Sequence, residues 1–595
     1  MDTNLVQQER LNSQNTKNMI IAKINLLLKN CNRVLLINPP QVPEDEFDVN
    51  VALDKRYPAY PPYGIGIINR ILIENGYESN ILDLNYEVLS FLNSNKNSFR
   101  YCIWKEKLRE RILHFQPDLI GITCLFTMTA PQMYSVANFV KECNKDLPII
   151  VGGVHPSSAP ETVLTECKSI DFVSLYEGDT GFIDFLNLIN GKTQEEKLRQ
   201  IATIHEGVYY SINNRLRELD IDTTPDYGQL PIGDYHFLGK IGNYHWLLPD
   251  NVRAATVLSN RGCRGKCTYC SVNAFYGKGG IVSRDVNSVV DEIAFLKNKY
   301  NISHFMWLDD DLLFNEKRAI ELFNEITKRN LNITWDATNG VVAASITPEV
   351  IDAAHKSGCI GLHIGIESGN PEILKSIRKP SSIKQYIRAA TTLRQYPEIF
   401  TKGFLMIGFE GETISKILDT VNLALELQFD WYSIQLLTVF PSTETHRTLL
   451  RNEDPRAKAL TGKFFFGSTG EMRLVEAREK KHAKEFVNLL EGDPEIIPSG
   501  EQLKDVWFLV DYKVNYEKIL TENRSVKLTM IQKMLENVCG RIKENPLAKL
   551  FLGVVEQKLG NHNKAHEQKE LARNSLDNSA FWQTRFEVLD LYKLF

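Results

Sequence analysis

The sequence predicts an α/β protein made of a doubly wound, flavodoxin-like parallel sheet, an open (βα)6 barrel and a mostly helical C-terminal region. Two series of alternating strands and helices predict the first two parts, and a segment rich in Pro, Gly and Asp separates them. A more charged, helix-rich stretch predicts the third part. Because strands that alternate with helices are joined by right-handed crossovers, we expect both sheets to be parallel.

Composition restricts the class of protein before any motif is considered. Of the 595 residues, 43% are apolar and 24% are charged, and 69 basic against 74 acidic residues give a net charge of −5. Proportions of this kind are typical of globular proteins. No apolar run reaches the ~20 residues of a membrane span, and the N-terminus lacks the apolar core of a signal peptide. We therefore expect a cytoplasmic protein of several domains, with no membrane and no nucleic acid among its partners.

The first series follows an N-terminal leader, residues 1–32, and contains five strand–helix units. Its strands are short apolar runs that end at proline, glycine or a polar residue, predicted at 34–38, 78–83, 118–123, 148–153 and 171–176. We assign residues 33–200 to this domain and residues 201–250 to a linker. Sheets of this type bind ligands beyond the carboxyl ends of their strands.

The second series, residues 251–443, contains six strand–helix units, and six units predict a barrel that stays open. Its strands are predicted at 255–259, 304–309, 334–338, 360–367, 401–409 and 431–440. Residues 444–595 are predicted to be mostly helical. Within them, the phenylalanines 464–466 and the basic run 478–484 are candidates for a cap that selects the substrate. The alternative, which we favour, is a core strand and a solvated helix face.

Three of the ten cysteines, Cys263, Cys267 and Cys270, form the most informative cluster in the chain. They directly follow the first barrel strand, where barrels place their chemistry. Structural zinc sites and most iron–sulfur clusters take four ligands, and no fourth cysteine lies nearby in the sequence. Three thiolates favour an iron–sulfur cluster with one open iron, whereas the alternative is a zinc site that borrows a distant ligand such as His304. The other cysteines are scattered singly, as buried apolar residues usually are.

The spacing Cys263-x-x-x-Cys267-x-Tyr269-Cys270 resembles the signature of radical S-adenosylmethionine (SAM) enzymes, whose open iron chelates SAM. Four further segments resemble the same family, each at the end of a predicted barrel strand: 307–311, 365–369, 407–413 and 440–443. The resemblance implies SAM contacts from Tyr269, Asp309, Asp310, Glu367, Ser368 and Gln435. Two residues depart from the pattern, since Glu410 replaces a proline and Val341 stands where relatives often carry arginine.

The N-terminal domain resembles the cobalamin-binding domain that is fused to one large branch of these enzymes. The matching segments are 38–40, 60–64, 152–156 and 177–179. The resemblance implies cobalamin contacts from Pro39, Pro40, Pro62, Gly64, Thr123, Thr127, Gly152, Gly153, His155, Glu177 and Gly178. The Asp-x-His-x-x-Gly motif, which supplies a lower axial histidine in other cobalamin proteins, is absent, as is common in this branch. The lower ligand therefore stays open, because His155 is as well explained as a turn histidine that is hydrogen-bonded to backbone.

Together the resemblances imply an enzyme that uses a 4Fe–4S cluster, SAM and cobalamin to methylate an unactivated carbon or phosphorus centre of a small metabolite or peptide. A reductase such as flavodoxin or ferredoxin would supply electrons. One alternative is a radical SAM cyclase or rearrangement enzyme without net methylation, and another is a non-enzymatic cobalamin-binding protein with a structural metal. A tRNA methylthiotransferase would need a second three-cysteine cluster, which the isolated N-terminal cysteines do not supply.

Overall fold

The structure is a computed structural model, and it describes residues 3–215, 221–249, 251–276, 280–453, 485–577 and 579–595. The chain forms two compact units. The first contains the described residues of 1–241, 269–284 and 439–464, and the second contains those of 242–268, 285–438 and 465–595. The candidate cap residues 464–466 and 478–484 lie outside the described residues.

The first unit is built on a seven-stranded sheet. Its strands are β1 (Arg33–Asn38), β2 (Glu78–Asp83), β3 (Leu119–Thr123), β4 (Ile149–Gly152), β5 (Phe172–Ser174), β6 (Ile201–His205) and β7 (Val208–Ile212). Their order across the sheet is β2-β1-β3-β4-β5-β6-β7, and β1 to β5 are parallel. The doubly wound, flavodoxin-like fold is thereby confirmed, and its strand order reverses direction between β1 and β3.

Strands β6 and β7 form an antiparallel hairpin that extends the sheet beyond β5, although the sequence analysis places these residues in the linker. The two turn residues, Glu206 and Gly207, both have positive φ angles, of 49° and 78°. Two-residue hairpin turns of this kind usually carry Asn or Asp before the glycine, so the pair Glu-Gly gives a weak signal. Ile201 and Ala202 are buried beside β5 and complete the apolar core there.

The predicted leader is a helix, Thr3–Leu27, that packs on β6 and β7. Ile20, Ile24 and Leu28 are buried and recur every four residues, as one face of a helix requires. The other α-helices of this unit are Val49–Leu53, Tyr63–Glu74, Leu84–Ser94, Ile103–Phe115, Ala130–Cys143, Val154–Ser158, Pro160–Glu166, Gly178–Ile189, Tyr235–Leu238, Ser271–Tyr276 and Glu444–Arg451. No helix in the described ranges is long and apolar enough to cross a membrane.

The second unit contains the barrel, a six-stranded parallel sheet. Its strands are β8 (Arg253–Val257), β11 (Ile302–Trp307), β12 (Thr334–Val341), β13 (Cys359–Glu367), β14 (Phe400–Ile407) and β15 (Trp431–Leu436). Two short strands lie between β8 and β11 in the sequence: β9 (Asn260–Arg261) belongs to this unit, and β10 (Val282–Ser283) belongs to the first. The barrel order is β15-β14-β13-β12-β11-β8, so its two outer strands are not neighbours. The open six-stranded barrel that the sequence predicts is confirmed.

Five of the six barrel helices in the described part of the chain begin where a side-chain oxygen accepts hydrogen bonds from the first free N–H groups. Such N-cap residues are Asp285, Asn315, Thr347, Asn370 and Thr413. The barrel helices are Val286–Tyr300, Glu316–Lys328, Pro348–Lys356, Pro371–Ser376, Ile383–Leu393 and Ile414–Leu427. The helices of the C-terminal region are Gln502–Asp511, Ser525–Arg541, Pro546–Lys558, His562–Asp577 and Ala580–Val588.

The C-terminal region satisfies the outer edge of β15, whose backbone would otherwise be exposed. The side-chain amide of Asn515 accepts a hydrogen bond from the N–H of Tyr432 (2.7 Å) and donates one to the carbonyl of Tyr432 (2.9 Å). The indole N–H of Trp507 donates to the carbonyl of Ile434 (3.1 Å). These bonds explain why the C-terminal helices belong to the same compact unit as the barrel.

A buried ion pair strengthens this attachment. The ammonium group of Lys527 lies 2.8 Å from a carboxylate oxygen of Asp430, and the two side chains are 5% and 3% exposed. The same carboxylate accepts hydrogen bonds from the N–H and the hydroxyl of Thr401, on β14. Removal of either charge leaves the other buried without its partner.

We expect Lys527→Met to lower the free energy of unfolding of the second unit by about 3–5 kcal/mol, because the carboxylate of Asp430 loses its buried cation. Urea denaturation followed by circular dichroism measures this loss. The control is Lys533→Met, which removes an exposed lysine from the same helix and should change stability little. Equal effects of the two substitutions would show that the ion pair does not hold the region in place.

Candidate active site

The cysteine loop, residues 258–270, leaves the carboxyl end of β8 and is held by an acidic triplet, residues 309–311, at the end of β11. Asp309 is 3% exposed and accepts hydrogen bonds from the N–H groups of Ser259 (3.0 Å) and Asn260 (2.9 Å) and from the Ser259 hydroxyl. Burial raises the pKa of Asp309 to about 6, although these hydrogen bonds oppose the rise. Since β8 and β11 are neighbours, Asp309 ties two adjacent strand ends together.

The other two members of the acidic triplet hold the next part of the loop. Asp310 accepts a hydrogen bond from the N–H of Gly262, whose φ of +91° favours glycine. Burial and the charge of Asp309 raise the pKa of Asp310 to about 6. Asp311 is fully buried, and its two oxygens accept hydrogen bonds from the Arg264 guanidinium at 2.6 and 2.9 Å. Each aspartate therefore anchors a different residue ahead of Cys267.

Two of the three cysteine side chains face each other across Gly265. A Cβ atom on Gly265 would lie 3.4 Å from Cys263 Sγ and 3.6 Å from Cys267 Sγ, so the two sulfur atoms flank one position. The N–H of Gly265 donates a hydrogen bond to Cys263 Sγ (3.3 Å). Within the described parts of the chain, no three His, Cys, Asp or Glu side chains are arranged to hold a metal ion.

The donor chemistry of this loop fits an iron–sulfur cluster. Thiolates are the ligands that these clusters take, and three are available within eight residues. Burial, together with the nearby charge of Asp311, raises the pKa of Cys263 to about 11. A cationic iron centre supplies the positive charge that a thiolate needs in such surroundings. Cys263, Cys267 and Cys270 stay the predicted ligands.

The remaining candidates for SAM binding already have partners within the protein. Glu367, the last residue of β13, is 8% exposed and forms an ion pair with Lys379 at 2.7 Å. The fully buried hydroxyl of Ser368 lies 3.2 Å from the Thr420 hydroxyl and accepts a hydrogen bond from the N–H of Asn370 (3.1 Å). Tyr269 and Gln435 are half-buried, in the cysteine loop and on β15. The SAM contacts of Glu367, Ser368, Tyr269, Gln435, Asp309 and Asp310 stay predictions.

Two residues of this site were missed by the sequence analysis as functional candidates. Lys379 gave no signal because it is one of several basic residues in the stretch 375–379. Glu412 was noted only as one residue of the segment 407–413, which resembles a turn of the radical SAM family. In the structure its carboxylate accepts hydrogen bonds from the N–H groups of Gly408 (2.6 Å) and Phe409 (3.1 Å), and so closes the turn after β14. Burial raises the pKa of Glu412 to about 7.

The candidate cobalamin contacts lie at one end of the sheet in the first unit, where the parallel strands have their carboxyl ends. Four adjacent strands, β1, β3, β4 and β5, carry them at or just beyond their carboxyl ends: Pro39, Pro40, Thr123, Thr127, Gly152, Gly153, His155, Glu177 and Gly178. Pro62 and Gly64 lie at the N-terminus of helix Tyr63–Glu74. The helix reaches the same end of the sheet, because its Ile68 side chain would lie 3.0 Å from a Cβ on Gly178.

The ends of β3 and β4 approach each other so closely that only glycine fits between them. A Cβ on Gly153, which has a φ of +117°, would lie 2.4 Å from the carbonyl oxygen of Cys124. His155 follows and is 6% exposed, and its Nδ1 lies 3.2 Å from the Thr127 hydroxyl. Its Nε2 is buried and has no hydrogen-bond partner among the described residues. Burial lowers the pKa of His155 to about 4, so the imidazole is neutral at pH 7.

Beside this histidine, the apolar loop, residues 125–128, extends into solvent. Leu125, Phe126 and Met128 are 56%, 58% and 41% exposed. Clustered exposed apolar side chains mark binding surfaces, and the corrin ring is a large ligand with an apolar periphery. The donor set at this end of the sheet, with hydroxyls, a neutral imidazole and apolar side chains, therefore fits cobalamin. The hydroxyls of this segment were predicted from the sequence as cobalamin contacts, whereas its apolar side chains were not.

Comparisons with known proteins identify both of the predicted domains. The family model "Radical SAM superfamily" matches residues 257–424, and "B12 binding domain" matches residues 49–186. The chain is 28% identical to an uncharacterized methyltransferase of Pyrococcus horikoshii, over 66% of this chain and 79% of the relative. It is 23% identical to the cytidylyl-2-hydroxyethylphosphonate methyltransferase of Streptomyces wedmorensis (66% and 78%). It is 26% identical to an anaerobic magnesium-protoporphyrin IX monomethyl ester cyclase of Rubrivivax gelatinosus (58% and 60%).

Two solved structures share the fold. The radical SAM methyltransferase TsrM of Kitasatospora setae matches with a TM-score of 0.55 and 17% identity, over 71% of this chain and 76% of TsrM. The cobalamin-dependent SAM radical enzyme OxsB matches with a TM-score of 0.55 and 16% identity, over 95% of this chain and 80% of OxsB. The chain belongs to the radical SAM enzymes that carry a B12-binding domain. The cofactors of these enzymes are a 4Fe–4S cluster, SAM and cobalamin, as the sequence predicts.

We expect Cys263→Ala, Cys267→Ala and Cys270→Ala each to abolish cluster assembly, because three thiolates are the smallest set that holds such a cluster with one iron open. Iron and sulfide contents after anaerobic reconstitution measure this. The matched control is Cys143→Ala, which removes a half-buried single cysteine from the first unit and should leave both contents unchanged. Full iron content in any of the three variants would refute its assignment as a ligand.

We expect Phe126→Ser to weaken cobalamin binding by about tenfold to a hundredfold, because burial of such a side chain contributes about 1.5–3 kcal/mol. Titration with hydroxocobalamin, read from the corrin absorption of the desalted protein, gives the affinity. Val208→Ser, at an apolar side chain on β7 that is 50% exposed, is the control and should bind as the wild type does. If both variants bind equally well, the apolar loop does not contact the corrin.

Proposed function

We propose that this protein is a cobalamin-dependent radical SAM methyltransferase, which methylates an unactivated carbon or phosphorus centre of a small metabolite or peptide. One observation carries the proposal: a single chain contains a B12-binding domain and a radical SAM barrel, and the predicted ligands of each follow the carboxyl ends of its strands. Two of the relatives described above are named methyltransferases, which supports methyl transfer as the outcome.

When bound, the cluster and SAM supply a radical that removes hydrogen from the substrate, and cobalamin supplies the methyl group. The chain's own residues hold the binding loops in place. Asp309, Asp310 and Asp311 anchor the cysteine loop before Cys267, and Glu412 closes the turn after β14. Because these carboxylates are largely buried, the loops are held with little water around them, and hydrogen bonds of this kind are strong in such surroundings.

In the first unit, the residues at this end of the sheet give cobalamin close access to the backbone. The absence of a side chain at Gly153 lets β4 turn sharply against the carbonyl of Cys124. The Thr127 hydroxyl orients the ring of His155, and its neutral imidazole adds no charge to the apolar loop beside it. We propose that these residues, with Pro39, Pro40 and Gly152, contact the cofactor.

A second candidate function is ring formation or rearrangement without net methylation. The similarity to the cyclase of Rubrivivax gelatinosus, 26% identical over 58% of this chain, favours this alternative. The two functions share the cluster, SAM and cobalamin, and they differ in whether a methyl group leaves SAM and appears in the product. The fate of that methyl group therefore separates them.

We also propose that the protein works in the cytoplasm with an electron donor such as flavodoxin or ferredoxin. None of the ten cysteines, all of which lie in the described ranges, forms a disulfide, as is usual in a reducing compartment. A low-potential iron–sulfur cluster needs an external source of electrons, and these two carriers are of the required class. To test this, purified flavodoxin or ferredoxin is added in its reduced form, and reduction of the cluster is monitored through the absorption of the cluster.

We expect SAM with a deuterated methyl group, incubated anaerobically with a reductant and the substrate, to give a product that carries the label. S-adenosylhomocysteine and deoxyadenosine should both accumulate, because one SAM donates its methyl group and another forms the radical. Mass spectrometry of product and by-products measures all three. Deoxyadenosine that forms with substrate turnover, but without S-adenosylhomocysteine or label in the product, would instead identify the cyclase or rearrangement alternative.

A further inference from the structure

The end of β13 holds a buried ion pair between Glu367, a predicted SAM contact, and Lys379, which the proposed function leaves without a role. The ammonium group of Lys379 lies 2.7 Å from a carboxylate oxygen of Glu367, and each side chain is 10% exposed. Glu367 has a φ of +66°, a left-handed conformation that a glutamate seldom adopts without support. A Cβ on Gly365 would lie 2.8 Å from Lys379 Nζ, so the lysine also packs against the strand itself.

The segment 377–380, which contains this lysine, forms one wall of the cysteine loop. The carbonyl of Ile377 accepts a hydrogen bond from the N–H of Thr268 (3.1 Å). The carbonyl of Arg378 lies 3.9 Å from Cys267 Sγ, and a Cβ on Gly265 would lie 3.6 Å from Pro380 Cγ. Both chain neighbours of Lys379 thus touch the loop that carries the candidate ligands.

Lys379 carries its positive charge in this buried place. The carboxylate of Glu367, 2.7 Å away, supplies the opposite charge that a buried ammonium group needs. The phenol of Tyr386 and the thiol of Cys267 also lie close enough to interact electrostatically with the ammonium group. A buried charge acts on its neighbours through a medium of low dielectric constant, so its effect there is far larger than that of a surface charge.

We propose that Lys379 is a positioning residue that holds Glu367 at the end of β13, and that the Lys379–Glu367 pair sets the reduction potential of the cluster on the cysteine loop. Reduction adds one electron from the donor to the cluster and so adds one negative charge. The cation of Lys379 stabilises that charge, and the carboxylate of Glu367 opposes it. The inference rests on the cluster that the proposed function requires, and it does not depend on methyl transfer.

The test is an anaerobic redox titration of the reconstituted protein, with the cluster followed by absorption and electron paramagnetic resonance. Lys379→Met should lower the reduction potential and Glu367→Gln should raise it, because each removes one charge of opposite sign. The double variant should lie between the two single variants, and Lys379→Arg should stay near the wild type. Lys375→Met, which removes an exposed lysine four residues earlier, is the matched control and should leave the potential unchanged.

The opposite signs distinguish a charge effect from damage to the fold. If both single variants shift the potential in the same direction, or if neither shifts it, the inference is overturned. Iron content and circular dichroism are measured for every variant. If Lys379→Met does not assemble a cluster, the double variant is compared with Glu367→Gln alone. The two differ only in Lys379, so the double variant must have the lower reduction potential if the inference is correct. A failed methyl-label experiment would leave these shifts unaffected.

Discussion

Three consecutive carboxylates at the end of β11 hold the segment that leads into the cysteines, and the barrel mouth depends on this interaction. Asp309 binds the backbone at Ser259 and Asn260, Asp310 binds Gly262, and Asp311 binds the Arg264 side chain. Burial of three acidic groups is costly unless each is hydrogen-bonded, and here each is. The loop therefore has a defined course up to Cys267.

The same device recurs at other strand ends of the barrel. Glu367 pairs with Lys379 after β13, and Glu412 binds two backbone N–H groups after β14. Several acidic residues that resemble SAM contacts thus have a structural task within the protein itself. Their buried positions raise the pKa values of Asp309, Asp310 and Glu412, which shows how strongly burial acts at this end of the barrel.

Patterns that repeat along the chain were sufficient to predict the two sheets. The strand–helix alternation predicts both, because each parallel strand must be an apolar run followed by a covering helix. The cysteine spacing and the small residues at strand ends likewise predict the positions of both candidate sites.

Structural features that depend on only one or two residues could not be predicted, because they produce no repeating pattern in the sequence. The hairpin of β6 and β7 turns on Glu206-Gly207, a weak turn signal. The segment 3–27 was predicted as a leader because its sequence begins with many Gln and Asn residues, whereas the buried apolar residues Ile20 and Ile24 lie near its end. The pairing of Glu367 with Lys379 joins residues on either side of a short helix, and neither residue signals the other.

The central claim is that one chain binds one iron–sulfur cluster and one cobalamin. The most direct measurement is the content of iron, sulfide, cobalt and zinc in a single sample that has been reconstituted anaerobically with hydroxocobalamin and desalted. We expect about four iron atoms, about four sulfides and about one cobalt per chain. Zinc in place of iron, about twice that amount of iron, or the loss of cobalt on desalting would contradict the account.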